Sequence, residues 1–401
     1  MNRRAQLDGQ EPAPGGPLRV LHVTPGLHVG GAETTLYRLV THTPHIRHEV
    51  ISIAAPEWYS SKLEEHGICV RHLNSGAFVP GIGTIARLSQ LIRTSECDVV
   101  QAWMYRANLL AGVLGRLSGK PVLWNIRCSS LDPLRPASRF VAYAGGFLAR
   151  WLPDFVINCS ARSAALHARW GYERAEGAVI PNGYDPALLH PDEEARSATR
   201  ASLGIPADRF CIGTVARWHP MKGFPVLLQA AGLLRRRGLK FTLLLVGMGL
   251  NSDNSELTAL IRKNGCEDVV QLLGHRADVA ELDRAFDLHV LASVGAEGFP
   301  NAVAESMLSG TPNVASDVGD AALIVDDCGW VVGHNDPGAL AAAIEAAFKE
   351  WSVSPAEWKE RREAVRKRIA DQFSLDRMAG AYEAVWRTVA SSKARRRVRT
   401  R

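Results

Sequence analysis

Short apolar runs alternate along this chain with longer stretches whose apolar residues recur every three to four positions. That alternation predicts strands separated by helices. The runs Leu18–Thr24, Val50–Ala54, Cys69–Leu73, Val99–Trp103, Val122–Ile126 and Phe155–Cys159 are predicted strands, with helical stretches such as Thr84–Ile92 and Ala107–Leu117 between them. The first series ends at Val179-Ile-Pro-Asn-Gly-Tyr-Asp185, a strand end followed by turn residues. A polar stretch from Pro186 to Pro206 reads as a linker, and then the alternation restarts. Phe210–Ala216, Phe241–Val246, Val269–Leu273, Leu288–Ala292, Asn313–Ser316 and Trp330–Val332 are strand candidates, and Phe224–Arg235 is a helix. Near-continuous Val/Ile/Leu strands are what a parallel sheet covered on both faces requires. The pattern therefore predicts an α/β protein of two doubly wound, Rossmann-like domains, residues 17–190 and 191–372.

The two ends depart from this rhythm. Residues 1–16 are polar and rich in Pro and Gly, lack a signal peptide's apolar core and read as a disordered leader. Near the other end Pro337–Trp351 and Trp358–Ile369 read as helices. Phe373–Val389 follows as an amphipathic helix carrying Met378, Tyr382, Val385 and Trp386. Residues 391–401 form a basic tail, of a kind usually solvated and disordered.

Composition narrows the function classes. At 401 residues, 46% hydrophobic and 22% charged, the chain is large enough for two cores and ordinary for a soluble globular protein. No apolar run is long enough to span a bilayer. Seven cysteines lie scattered, with no Cys-x-x-Cys pair, which points to a reducing, cytoplasmic setting and away from a zinc site. A net charge of +6 and a pI near 9.0 suit phosphate-bearing ligands or an anionic membrane surface. No nucleic-acid recognition motif is present, so nucleic acid is not an expected partner.

Three segments carry chemistry. Gly30-Gly31-Ala32-Glu33 follows the first strand and opens a helix, where glycines admit a close ligand and the helix N-terminus favours an anion. A glycine pair at such a turn serves packing as often as binding. It is not Gly-x-Gly-x-x-Gly, so no nicotinamide cofactor is indicated. Arg217 and Lys222 share the loop after the first strand of the second half. A planar guanidinium fork and an ammonium point charge there suit a diphosphate. Glu297-Gly-Phe-Pro-Asn-Ala-Val-Ala-Glu305 places one carboxylate in a strand-to-helix loop and a second on the helix. Carboxylates accept hydrogen bonds from sugar and ribose hydroxyls.

With these pieces in this order, together with Val246-Gly-Met-Gly249 and Leu273-Gly-His-Arg276, the chain resembles the retaining glycosyltransferases of family 4 with the GT-B fold, from Val20 to about Val389. The resemblance implies that Arg217 and Lys222 hold the donor diphosphate, that Glu297 contacts the transferred sugar and that Glu305 binds the ribose. It implies backbone contacts from Phe299, Pro300, Asn301 and Ala302 to sugar and phosphate, with Arg276 bordering the base. Gly30 and Gly31 would close the cleft from the other domain, with Glu33 beside them on the acceptor side. The last helix, residues 373–390, would cross back to the N-terminal domain. The donor would be a nucleoside-diphosphate sugar, UDP-linked, carrying a hexosyl or N-acetylhexosaminyl group. The acceptor would be a glycan or polyprenyl-diphosphate sugar of bacterial surface polysaccharide assembly. Arg217, Lys222 and a helix start can neutralise the leaving group, so no metal or other cofactor is expected.

One departure stands out. The resemblance implies a histidine at the end of a mid-domain strand, but Gln101-Ala-Trp-Met-Tyr-Arg106 and Leu123-Trp-Asn-Ile-Arg127 contain none. Arg106, Asn125 and Arg127 are the candidates for its place. Leu134–Trp151 carries Arg135, Arg139 and Arg150 beside Phe140, Tyr143, Phe147 and Trp151, a composition that suits contact with a membrane surface and equally a helix with exposed arginines. The same fold also serves sugar-nucleotide epimerases or hydrolases, inverting transferases and non-catalytic nucleotide-sugar binding.

Overall fold

The computed structural model describes residues 16–76, 80–128, 136–295 and 297–399, and side chains up to Ser392. The leader before Gly16, Leu134 and Arg135, and the side chains of the basic tail beyond Ser392 lie outside the described residues.

The first half builds a seven-stranded sheet from β1 (Arg19–Thr24), β2 (Arg47–Ser52), β3 (Cys69–His72), β4 (Val99–Trp103), β5 (Val122–Ile126), β6 (Phe155–Asn158) and β7 (Gly177–Val179). The second builds six strands: β8 (Phe210–Val215), β9 (Phe241–Val246), β10 (Val270–Gly274), β11 (Leu288–Leu291), β12 (Asn313–Ser316) and β13 (Trp330–Val332). The orders are β3-β2-β1-β4-β5-β6-β7 and β10-β9-β8-β11-β12-β13. Every pairing among the described residues is parallel. Each sheet thus reverses its winding once, between β1 and β4 and between β8 and β11, and such switch points are where doubly wound sheets bind ligands.

In the first half the helices are α1 (Gly31–His42), α2 (Trp58–Glu65), α3 (Ile82–Thr94), α4 (Met104–Leu117), α5 (Pro136–Leu148) and α6 (Ala161–Ala168). The second half contributes α7 (Glu193–Ser202), α8 (Phe224–Arg236), α9 (Ser255–Asn264), α10 (Val279–Ala285), α11 (Asn301–Leu308), α12 (Ala321–Val325), α13 (Pro337–Val353) and α14 (Pro355–Gln372). The last helix, α15 (Leu375–Arg399), returns to the first domain. Its Leu375, Met378, Tyr382, Trp386 and Val389 share a core with Leu36 and Leu39 of α1 and Trp103 of β4.

That return seats Trp386 over two buried histidines. Trp386 Nε1 donates to Gln101 Oε1 at 3.0 Å, and its ring lies 5.8 Å from both His22 and His48. Trp103 Nε1 donates to His22 Nδ1 at 3.2 Å, so His22 carries its proton on Nε2, which donates to His48 Nδ1 at 3.0 Å. His48 Nε2 in turn donates to Thr43 Oγ1 at 2.8 Å. Both rings are neutral and satisfied. Burial, then the neighbouring His48, holds His22 well below the ordinary histidine value, and burial lowers His48 to about 4.

The two crossings between domains run side by side. Tyr184 N donates to Phe373 O at 3.0 Å and Leu375 N to Tyr184 O at 2.9 Å, an isolated parallel bridge between Tyr184 and Ser374.

One sequence expectation needs correction. The stretch 186–206 is more than a linker, because it contains α7, capped by Asp192 Oδ1 on Ala195 N at 2.9 Å. Arg196 and Arg200 of α7 both pair with the buried Asp287, at 2.5 and 3.0 Å. The polar composition that reads as linker belongs to a docked helix held by charge. α15 runs on through residues 391–399 of the basic tail. Strand limits also move. β2 begins at the polar Arg47 because its backbone pairs with β1 from Arg19↔Arg47 onward, which side-chain hydropathy does not register.

Candidate active site

Both switch points open onto the same cleft. From the first domain, α1 presents its N-terminus after β1, with Gly30 as its cap and no side-chain hydrogen bond from the cap residue. From the second, α11 starts at Asn301 behind Pro300, also without a side-chain cap. First-turn amides have no intrahelical acceptor, so two positively polarised helix ends converge here.

The helices face each other in register. A Cβ on Gly31 would lie 3.4 Å from Asn301 Nδ2. Two turns further along α1, Arg38 Nη2 donates to Glu305 Oε1 at 2.6 Å. Gly31 and Arg38 are seven residues apart and Asn301 and Glu305 four, so each pair lies on one helix face. Burial opposes the charge on Arg38, but Glu305 and Tyr184 outweigh it and hold the guanidinium above its usual value.

Between the helices runs a chain of hydrogen bonds. Asn301 Oδ1 accepts from Asn182 Nδ2 at 2.5 Å and from Tyr184 OH at 2.7 Å. Asn182 Oδ1 accepts from Arg127, whose Nη2 also donates to Thr35 Oγ1 at 2.9 Å. Tyr382 of α15 receives Asn125 Nδ2 at 2.6 Å and Arg127 Nη1 at 3.4 Å.

Cations gather on the second domain. Lys222 Nζ donates to Glu297 Oε1 at 2.5 Å, and Ser293 Oγ donates to the same oxygen at 2.7 Å. The loop carrying Lys222 reaches that position because Gly223 turns the chain at φ 67°, pressed against the Ala292 carbonyl. No other residue type fits, since any Cβ would run into that oxygen. Arg217, in the same loop, is exposed and has no ion pair among the described residues. His219 lies between them. Partial burial, then the charges of Arg217 and Lys222, lowers its affinity for a proton, and its Nδ1 accepts from Met221 N at 3.3 Å. The two cations that disfavour its proton give this loop a locally positive field.

The turn at Glu297–Gly298 is clamped from behind. Asp320 N donates to Gly298 O at 3.0 Å, while the Asp320 carboxylate accepts from Ala161 N at 2.7 Å and Arg162 N at 3.1 Å. A residue of the second domain thus caps α6 of the first. Arg162 adds an ion pair to Asp317 at 2.6 Å. Phe299 points into the core, 5.2 Å from Phe373 and 6.4 Å from Tyr184, leaving its backbone to face the cleft.

The remaining residues singled out from the sequence sit around this centre. Arg276 forms a bidentate pair with Asp278, at 2.7 and 2.5 Å. Glu33 is buried in the first turn of α1, 3.5 Å from His28, and burial raises its carboxyl against the pull of His28. Asn125 is buried: its carboxamide donates to Tyr382, and its backbone N–H and C=O both bond the Asn108 carboxamide. Arg106 is half-buried at the start of α4, with its charge disfavoured by burial. Arg38, Thr35 and Asp320 are polar residues of the cleft that sequence reading does not name, and it meets Asn182 and Tyr184 only as turn residues after a strand. The heptad spacing of Gly31 and Arg38 was the available signal for the first.

Residues 29–188 match the family described as Glycosyltransferase Family 4, and residues 209–350 match Glycosyl transferases group 1. The putative glycosyltransferase EpsF of Bacillus subtilis is 39% identical over 152 residues, 38% of this chain and 39% of that protein. The chain therefore matches less than half of EpsF's length. A D-inositol 3-phosphate glycosyltransferase of Streptomyces avermitilis is 27% identical over 369 residues, 83% of this chain and 77% of its own. The lipopolysaccharide core biosynthesis mannosyltransferase LpcC of Rhizobium leguminosarum is 29% identical over 257 residues, 63% and 68% of the two chains. Among solved structures, Anabaena Alr3699/HepE in complex with UDP superposes with a TM-score of 0.80 at 24% identity, covering 92% of this chain and all of that one. That likeness identifies the fold as GT-B.

Proposed function

This chain belongs to the family-4 glycosyltransferases, and from that premise we propose that it transfers a hexosyl or N-acetylhexosaminyl group, with retention of configuration, from a UDP-sugar to a glycan or polyprenyl-diphosphate acceptor of surface polysaccharide. The observation that carries the reading is Lys222 held 2.5 Å from Glu297 beside the uncapped start of α11, at a switch point facing the first domain. LpcC, a lipopolysaccharide core mannosyltransferase, supports the pathway, and HepE, seen with UDP, supports the nucleotide.

In this reading Arg217, Lys222 and the amides of Gly298, Phe299, Asn301 and Ala302 receive the diphosphate. Glu297 accepts hydroxyls of the transferred sugar. Glu305 accepts the ribose hydroxyls while still meeting Arg38, since one carboxylate has room for about four hydrogen bonds. Arg276 borders the base, and Gly30 and Gly31 admit the phosphates from the first domain. Glu33 lies on the acceptor side. Arg127 takes the place of the missing histidine, because its bond to Asn182 ties it to Asn301, whereas Asn125 is turned into the core.

The acceptor hydroxyl attacks the anomeric carbon on the face the nucleotide leaves. The bond from that carbon to the diphosphate oxygen breaks, the new glycosidic bond forms, and the hydroxyl proton passes to the departing phosphate. Negative charge grows on the diphosphate, and fixed cations stabilise it without reorganising. The reaction proposed here needs no metal or other cofactor. No helix among the described residues is long and apolar enough to cross a membrane. A lipid-linked acceptor would place the enzyme peripherally on the cytoplasmic face.

The test is turnover with UDP-, GDP- and ADP-sugars and lipid extract. Nucleotide release dependent on acceptor, with the anomeric configuration retained by NMR, is expected. Release of free sugar, or its epimer, without acceptor would overturn the reading, and an inverted product would overturn the stereochemistry.

A further inference from the structure

Helix α5 is amphipathic the wrong way round for a soluble domain. It buries Ala142, Gly145 and Gly146, with Ala149 just beyond its end. It exposes Phe140, Tyr143, Phe147 and, past its last turn, Trp151, which are 73%, 45%, 62% and 48% accessible. These four positions fall within about 80° of one another around a helix of 3.6 residues per turn. A helix normally buries its large apolar side chains, and a contiguous exposed aromatic stripe marks a surface meant to be covered.

The small residues explain how the stripe is held outward. A Cβ on Gly146 would strike the Trp170 carbonyl, and one on Gly145 would strike the Tyr172 hydroxyl. The inner face therefore has no room for the aromatic side. Arg116 of α4 donates to Trp151 O at 2.8 Å and pairs with Asp154, pinning the end of the stripe. On α4 itself Val113 and Leu117 are exposed, 40% and 79% accessible.

We propose that the outer face of α5 is the surface by which this protein lies on an anionic lipid bilayer. Charge selects this occupant. Arg139 and Arg150 are exposed on the helix and just after it, and Arg150 stands 4.7 Å over the Trp151 ring. No acidic residue occurs from Pro136 to Pro153. A second copy of the chain docking through this face would bring like charges together with no carboxylate on the helix to answer them. Aromatic rings flanked by arginines on a convex helix match the headgroup layer of an anionic membrane, where rings enter the acyl boundary and cations meet phosphates. Because α5 follows β5, whose C-terminal end opens on the cleft, the contact would bring that opening to the lipid surface. The inference rests on the transferase reading only for the cargo, a lipid-linked acceptor.

Co-sedimentation of the full chain with phosphatidylcholine vesicles, with and without phosphatidylglycerol, tests it. The protein should pellet with the anionic vesicles. The double substitution Phe140→Ser, Phe147→Ser should lower the bound fraction about tenfold. Arg139→Gln with Arg150→Gln should abolish the preference for anionic over neutral vesicles. Melting curves should match the unsubstituted protein, since the changed side chains are exposed. Failure to pellet, or pelleting unaffected by the phenylalanine changes, would overturn the inference. So would a dimer in solution that the same changes dissociate, which would make the face a protein interface. Turnover on a soluble acceptor is read separately. Vesicle binding without turnover refutes the transferase reading alone, and turnover without binding refutes only the membrane contact.

Discussion

Arg38 on α1 and Glu305 on α11 form a 2.6 Å ion pair across the cleft, joining the two domains through a carboxylate to which we assign the ribose. The pair is mostly buried, with side chains 24% and 18% accessible, so removing one partner strands the other charge and costs more than breaking a surface contact. Arg38→Met is expected to cost about 1–3 kcal/mol of stability and to let the domains open, seen as a larger radius of gyration in solution scattering. Glu305→Gln is expected to weaken UDP binding about tenfold by calorimetry, because an amide has fewer lone pairs to offer than a carboxylate. Undiminished UDP affinity in that variant would remove Glu305 from the donor site.

Arg217 and Lys222 should separate by stability. Arg217 is exposed and has no ion pair among the described residues. Arg217→Ala should leave the melting temperature nearly unchanged while lowering turnover about 100- to 1,000-fold. Lys222→Ala should lower both, because it leaves the buried Glu297 without its counter-charge. Turnover of the unsubstituted enzyme should persist in EDTA, and strict Mg²⁺ dependence would defeat the metal-independent account.

Gly298 tests the docking of the donor loop. A Cβ there would stand 2.9 Å from Cys159 Sγ and 3.0 Å from the Arg127 carbonyl, both on the first domain. Gly298→Ala should fold normally but hold the domains apart. Turnover is expected to fall about 100-fold, with circular dichroism unchanged. Full activity would mean that closure does not require this contact.

Acid should unfold the protein earlier than its carboxylates alone would. Burial lowers His48, His167 and His289 to about 4 and holds His22 well below its ordinary value. Each favours the neutral ring in the fold. Its contribution is therefore complete above the unfolded value near 6.5 and is lost as pH falls toward 4. For each of the three at about 4 the loss is at most about 3 kcal/mol. Melting temperatures at stepped pH from 7.5 to 4.5 (roughly the window of those shifts) should fall steadily, and a flat profile would contradict the assignment.

Periodicity exposes whatever is local. Five-residue strands such as Val99–Trp103 and Val122–Ile126 are buried throughout, so hydropathy alone delimits them. The glutamates and glycines that open α1 and α11 stand in short motifs, and the fold brings those motifs together. What the sequence hides is made by docking. Arg38 meets Glu305 across 267 positions, Asp320 caps a helix 159 positions earlier, and Arg127 reaches Asn182 through a strand end and a turn. In the local pattern only its heptad spacing from Gly31 sets Arg38 apart from a solvated arginine of an amphipathic helix. α7 is misread for the related reason that its docking uses arginines on one buried aspartate, which composition scores as linker.

The C-terminal helix has a consequence for how the protein is made. Trp386 and Tyr382 fill the core of the first domain, between His22, His48 and Trp103. Domains ordinarily fold in the order in which the ribosome releases them. Here the domain that emerges first must wait, its core open, until the second has been completely translated. A chain stopped anywhere before Tyr382 would leave the N-terminal domain with apolar surface exposed for a chaperone to hold. Native assembly of the first domain therefore reports that translation has passed through α15.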